Sequence, residues 1–95
     1  MNSRRTFEKL IHIAAKKGID VKFCSLQSSF GRIKGNRMAI LNTMPISDIN
    51  FNIAHELAHA FLHYDKGDIT SDNNAEYEEQ ANRAATMLLE ALEVA

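Results

Sequence analysis

Ile53-Ala54-His55-Glu56-Leu57-Ala58-His59-Ala60-Phe61-Leu62-His63 is the stretch that decides how this chain folds. It contains an HExxH motif, residues 55–59, among apolar neighbours that indicate a buried helix. Residues i and i+4 share a helix face and lie about 6 Å apart, so His55 and His59 can reach one metal ion. Glu56 is rotated by about 100°, which places it beside a metal-bound water as a general base rather than as a ligand.

The motif has a less specific interpretation, because HExxH fixes only three residues and occurs by chance in unrelated chains. A metal-free helical protein is therefore one alternative. The apolar context favours the metal site, since two histidines and a glutamate are costly to bury on such a helix unless something pairs with them. A metal ion is the simplest partner for all three.

Zinc needs a third protein ligand, because catalytic sites use three protein groups and a water. His63 is nearest, but it lies about 12 Å along the helix from His55, and no glycine turn lies between His59 and His63 to bring it back. We therefore predict that His63 supports the site without binding the metal. Glu78 follows His59 by 19 residues, which is enough for a loop and an antiparallel return.

Helical spacing indicates that Glu78 faces the interior, because it shares a stripe with Ala81 and Ala85. Glu79 points more outward and is the weaker candidate. Asn82 lies at i+4 from Glu78 and could hydrogen-bond the free nitrogen of a histidine ligand. The alternative is that these acids are a solvated first-turn cluster favoured by the helix dipole.

The remaining chain predicts an α+β fold with a small antiparallel sheet of about three strands. The first expected elements are a helix over 3–17 ended by Gly18 and a strand Ile19–Leu26. A hairpin of Phe30–Lys34 and Arg37–Asn42 follows, with its turn at Gly35-Asn36. The motif helix is expected at roughly 49–64, capped by Ser47 or Asp48 and ended by Gly67, and a polar loop over 65–74 leads to a last helix from Asn73 or Asn74. We expect Arg37–Leu41 to be the edge strand beside the motif helix.

Length and composition predict one domain, residues 1–95, with an ordinary apolar fraction of 45%. Glu8, Lys9 and His12 interrupt any signal-peptide pattern, and no apolar run approaches the roughly 18 residues of a membrane span, so we expect a cytoplasmic protein without membrane contact. The one cysteine, Cys24, excludes an internal disulfide. We interpret it as a buried structural thiol rather than as a ligand of the kind that peptide deformylases use.

Charge is divided unevenly along the chain. Residues 1–41 carry nine Lys/Arg and two acids, a balance of +7, whereas residues 42–95 carry two Lys/Arg and ten acids, a balance of −8. Such asymmetry can indicate nucleic-acid binding. We instead expect two halves with complementary surfaces and no direct nucleic-acid binding, because no recognised nucleic-acid motif is present.

In combination, these motifs resemble the ImmA/IrrE family of small metallopeptidases. The resemblance rests on Ala-Lys-Lys-Gly-Ile-Asp-Val at residues 15–21, the strand Met38–Asn42, the stretch 53–63, and Glu78 with Ala81-Asn82 and Ala84-Ala85. It implies a minimal zincin-like fold with zinc held by His55, His59 and Glu78, and with Glu56 as the catalytic residue. The chain departs from the family pattern at Gln80, where a second glutamate is usual, and at Ala84, where an aromatic is usual.

The expected function is a zinc-dependent endopeptidase that hydrolyses a protein substrate through a water activated by Glu56. The resemblance implies a substrate such as a helix-turn-helix repressor encoded nearby on a phage or mobile element. Candidate donors to the oxyanion are Tyr64, Tyr77, His63 and His12, among which the sequence does not choose. The alternative function is a metal-containing binding module that regulates a repressor or host protein by docking without cleavage.

Overall fold

The computed structural model describes residues 3–25, 30–62 and 75–94. In these residues, three helices and a three-stranded sheet follow one another as α1 (Ser3–Lys16), β1 (Asp20–Cys24), β2 (Gly31–Lys34), β3 (Arg37–Leu41), α2 (Ile46–Leu62) and α3 (Ala75–Val94). The predicted α+β fold is therefore confirmed, with a helix at each end and the HExxH motif on its own helix. No helix in the described ranges is both long and apolar enough to cross a membrane.

Two glycines set the local turns that the sequence predicts. Gly18 has a φ of 73°, and the Ile19 N–H behind it donates to the Ala14 carbonyl at 2.9 Å, which satisfies an orphan carbonyl at the end of α1. Gly35 has a φ of 60° in the two-residue connection between β2 and β3. Both positions are in the left-handed region that glycine adopts without steric cost.

The sheet is mixed, so the prediction of an antiparallel sheet is wrong for one strand pair. The strand order is β1-β3-β2, with β2 antiparallel and β1 parallel to β3. The order follows from burial, because Met38 and Ile40 of β3 are almost fully buried. The most apolar strand takes the central place, and the two strands with more charge take the edges.

The strand order also shows that the prediction of Arg37–Leu41 as the edge strand is wrong. Arg37–Leu41, as β3, is paired on both sides, and β2 is the edge strand that lies against α2. A hairpin pattern alone cannot show which of its two strands a third strand will join, since that choice depends on tertiary packing.

The helix α2 begins earlier than its sequence signals predict. The Pro45 carbonyl accepts hydrogen bonds from the N–H groups of Asp48 and Ile49, each at 3.0 Å, so Pro45 occupies the N-cap position. The predicted caps Ser47 and Asp48 lie inside the first turn, where the Asp48 carboxylate favours the positive end of the helix dipole. The predicted end of this helix, Gly67 and the loop over 65–74 lie outside the described residues.

The core is centred on α2, which packs against α3, α1 and the sheet. The largest fully buried side chains are Leu10, Met38, Ile40 and Ile53. Ala81 and Ala85 of α3 are also fully buried and confirm the predicted stripe of this helix. Because their side chains are small, α3 can lie close to α2, and this approach positions the site.

Candidate metal centre

Three side chains converge between α2 and α3. His55 and His59 lie one turn apart on α2, with 3.1 Å between their Nε2 atoms. Glu78 reaches them from the first turn of α3: its Oε2 lies 2.8 Å from His55 Nε2, and its Oε1 lies 3.3 Å from His59 Nε2. The structure therefore brings together the three residues predicted as metal ligands.

The spacing and chemistry of this group fit one small divalent ion. Metal bonds of about 2.1 Å in a tetrahedron separate neighbouring ligand atoms by about 3.4 Å. One ligand atom from each of the three residues lies within 4.8 Å of the others, and the 3.1 Å and 3.3 Å contacts above are close to the tetrahedral value. Two imidazoles and one carboxylate are donors that zinc accepts. These residues are thus positioned to bind a metal.

Most of this cluster is shielded from solvent. Both histidines are buried, and Glu78 keeps 23% of its side chain exposed, so the site opens toward solvent on the α3 side. The two imidazole rings are nearly perpendicular, with 4.6 Å between centroids, and the Phe51 ring lies 6.2 Å from that of His55. Aromatic packing on α2 therefore helps to set the direction of the His55 ring.

Asn82 lies on α3 one turn after Glu78, and its predicted hydrogen bond to a histidine ligand stays a prediction. Its side chain is exposed, whereas the neighbouring Ala81 is fully buried, because consecutive helical residues are rotated by about 100°. The buried Nδ1 of His55 has no hydrogen-bond partner among the described residues. His63, the other residue predicted to support the ligands, lies outside them.

Glu56 is buried on the side of α2 that meets the sheet. The pKa of its carboxyl is raised from 4.5 to about 8, mainly by burial and also by the negative charge of Glu78, while the positive charge of Arg32 opposes the shift. A cation held by His55, His59 and Glu78 would lower this pKa, since a nearby positive charge favours the carboxylate. The protonation state of Glu56 therefore depends on whether the three neighbouring residues hold a cation.

Gly31 of β2 is a site residue that the sequence reasoning missed. A Cβ built at this position would lie 3.4 Å from Glu56 Oε2 and 3.1 Å from Ile40 Cδ1. The backbone of the edge strand therefore lies directly beside the predicted general base. The available signal was a glycine within a strand pattern, which often marks a close approach of another group.

The other predicted candidates are placed as follows. Tyr77 is half-buried beside Glu78, and His12 lies on the exposed side of α1. Tyr64 is outside the described residues. Glu79, the less favoured candidate for the third ligand, is exposed, and its Oε1 lies 4.0 Å from Arg83 Nη1. Cys24 is a half-buried free thiol of β1 and is not part of the histidine–glutamate group.

A comparison with protein families agrees with this geometry. The model of a peptidase family described as the IrrE N-terminal-like domain matches residues 14–93. The match confirms the resemblance stated from the sequence motifs. No curated protein and no solved structure gives a significant match.

Removing one ligand should weaken metal binding strongly. Loss of a residue that only supports a ligand weakens metal binding by about 10–100-fold, so Glu78→Ala, which removes a ligand, should weaken zinc binding by at least about 100-fold. Competition with a chromophoric chelator measures this change. Glu79→Ala, an exposed acid on the same helix turn, is the matched control and should bind zinc as the unsubstituted chain does. Equal affinities of both variants would contradict the assignment.

The raised pKa of Glu56 predicts that the metal-free chain loses stability as pH rises. Between pH 4.5 and about 8, the folded chain keeps a proton on Glu56 that the unfolded chain has released. The stabilisation from this proton is complete below pH 4.5 and is lost as pH rises through 8. Thermal unfolding with chelator at pH 5–9 should therefore show a shallower decline in Tm for Glu56→Gln. A Glu79→Gln control should keep the original slope; identical slopes for all three would contradict this burial effect.

Proposed function

The chain belongs to the IrrE N-terminal-like domain family, a metallopeptidase family of ImmA/IrrE type, and we propose that it is a zinc-dependent endopeptidase. The observation that carries the proposal is the convergence of His55, His59 and Glu78 beside the buried carboxyl of Glu56. Zinc is proposed as the metal because the donor set of two imidazoles and one carboxylate is common in hydrolytic zinc sites.

The chemistry requires a polarised carbonyl, an activated water and a proton carrier. Zinc, when bound by the three ligands, supplies a Lewis acid that polarises the scissile carbonyl and lowers the pKa of a water. In the proposed mechanism, Glu56 accepts the proton of the attacking water on its carboxylate and passes that proton to the leaving amine. Its place next to His55 on α2 supports this role, because it brings the carboxyl close to the three ligand residues without making it a ligand.

The edge strand supplies a way to hold an extended substrate. In the described part of the chain, β2 is paired only with β3, so its outer edge is available for strand addition. Gly31 places this edge beside Glu56, which would bring a scissile bond in an added strand close to the general base. The proposed substrate is therefore an extended segment of a protein.

We further propose a helix-turn-helix repressor encoded nearby as the protein substrate. Support for this choice comes from the family resemblance, and the test is incubation of both purified proteins with zinc or with chelator. Zinc-dependent fragments identified by mass spectrometry are the expected result. Stable co-elution of an intact partner would instead indicate a binding module that docks without cleavage.

Replacing the general base should separate metal binding from turnover. Glu56→Gln should retain zinc and lose about 10²–10⁴-fold in kcat, the usual contribution of a general base. Metal content and cleavage rate are measured on the same preparation, with Glu79→Gln as the control of equal charge change. Unaltered turnover by Glu56→Gln would remove Glu56 from the mechanism.

Adding a side chain at Gly31 should disturb catalysis more than folding. A methyl group at this position would press on Ile40 Cδ1 and reach the Glu56 carboxylate, so Gly31→Ala should lower kcat while zinc content and the far-ultraviolet spectrum remain unchanged. Ala39→Val adds bulk to the neighbouring strand on the opposite face of the sheet and serves as control. An equal loss of kcat in both variants would indicate general disruption of the sheet.

A further inference from the structure

Among the described residues, the helices pack against one face of the sheet and leave the other face uncovered. Alternation along the strands directs Val21, Ile33, Met38 and Ile40 toward the helices, where they belong to or pack against the core. The opposite face, here called the outer face, carries the residues between them. Its charged members are Asp20, Lys22, Arg32, Lys34 and Arg37, all of which are exposed.

Basic residues dominate the outer face and reach its β2 edge. Arg32 lies opposite Ala39, and Lys34 lies opposite Arg37, in the antiparallel pairing of β2 with β3. Asp20 is the single acid on this face of the described strands and pairs in register with Arg37. Arg32 and Lys34 therefore stand two residues apart, about 6.6 Å, on the strand that borders the candidate site.

Strand addition to β2 would place these two cations directly against the substrate. Side chains of an added strand also alternate, and those on the outer face would lie about 4.5–5.5 Å, between Cβ atoms, from their β2 neighbours. Residues on the other face of the added strand would meet Gly31 and Ile33. The strand therefore presents positive charge to every second residue of a substrate and an apolar surface to the residues between.

We propose that Arg32 and Lys34 select an acidic substrate segment, with Asp or Glu at two positions separated by one residue. This inference rests on the proposed function and adds the substrate class to it. Opposite charges across neighbouring strands stabilise pairing, whereas like charges destabilise it. Gly31, the residue before Arg32, lies directly beside Glu56 Oε2, so the selected segment would adjoin the peptide bond that is cut.

A polypeptide fits this surface better than a nucleic acid. The outer edge of β2 offers backbone N–H and C=O groups in the spacing that another strand matches, and a sugar-phosphate chain cannot complete that ladder. Arg32 and Lys34 would then favour acidic side chains in the strand that pairs with the backbone of β2. Binding of nucleic acid to this face is the competing possibility, and the competition with duplex DNA described below tests it.

Peptide binding to the full chain tests the proposal without turnover. The zinc-loaded Glu56→Gln variant is titrated with three labelled decapeptides that alternate valine with glutamate, glutamine or lysine, and fluorescence anisotropy reports Kd. We expect the glutamate peptide to bind about 10-fold tighter than the glutamine peptide, as two favourable cross-strand charge pairs allow. In the Arg32→Glu background this preference should disappear, and the lysine peptide should gain affinity.

Lys22→Glu is the matched control, because it reverses the same charge on the same face but on the distant strand β1. It should change the preference by less than about threefold, since exposed charges of this kind contribute little when no partner is paired with them. Equal effects of Lys22→Glu and Arg32→Glu would overturn the role of the β2 edge. Equal Kd values for the three peptides, or binding of none of them, would overturn the selection of acids.

Two further measurements separate this proposal from its alternatives. Duplex DNA that binds the same variant tighter than the glutamate peptide and displaces it would assign the outer face to nucleic acid. With the unsubstituted chain, cleavage of all three peptides at one rate would keep the endopeptidase and overturn acid selection. Tight binding of the glutamate peptide without cleavage would support acid selection and contradict the endopeptidase.

Discussion

The contact between the Glu78 carboxylate and the imidazoles of His55 and His59 is the constraint on which the rest of the structure depends. It joins the start of α3 to the middle of α2 and fixes the position of one helix along the other. Ala81 and Ala85 continue the same line of α3 and are small enough to keep the helices close. The sheet then covers the opposite side of α2, where Glu56 lies.

This arrangement collects more negative charge than a small core ordinarily holds. Glu56 is buried and Glu78 is largely so, and the negative charge of Glu78 disfavours ionisation of Glu56. Burying such groups without compensation is costly, whereas a divalent cation would neutralise them and bind the histidines at the same time. Metal binding at this site would therefore be coupled to stability, because a ligand that binds only the folded state stabilises it.

The local part of this architecture could be read from the sequence. Gly18, the Gly35-Asn36 turn and the HExxH helix depend on short-range patterns, and Glu78 follows from the helical spacing that it shares with Ala81. What the sequence did not show depends on packing between distant segments. The central position of β3 depends on the burial of Met38 and Ile40, which β3 achieves between the flanking strands β1 and β2. The start of α2 at Pro45 depends on backbone hydrogen bonds, which the side-chain pattern does not reveal.

The charges of β2 also bear on self-association. An unpaired strand edge is a template for a second copy of the same strand, and the net charge of −1 provides little general repulsion between copies. If two copies paired antiparallel through β2 with Ile33 opposite Ile33, Arg32 of each would stand opposite Lys34 of the other, and such like-charged neighbours are destabilising. The edge can therefore remain exposed to other polypeptides while edge-to-edge dimers and larger aggregates are disfavoured.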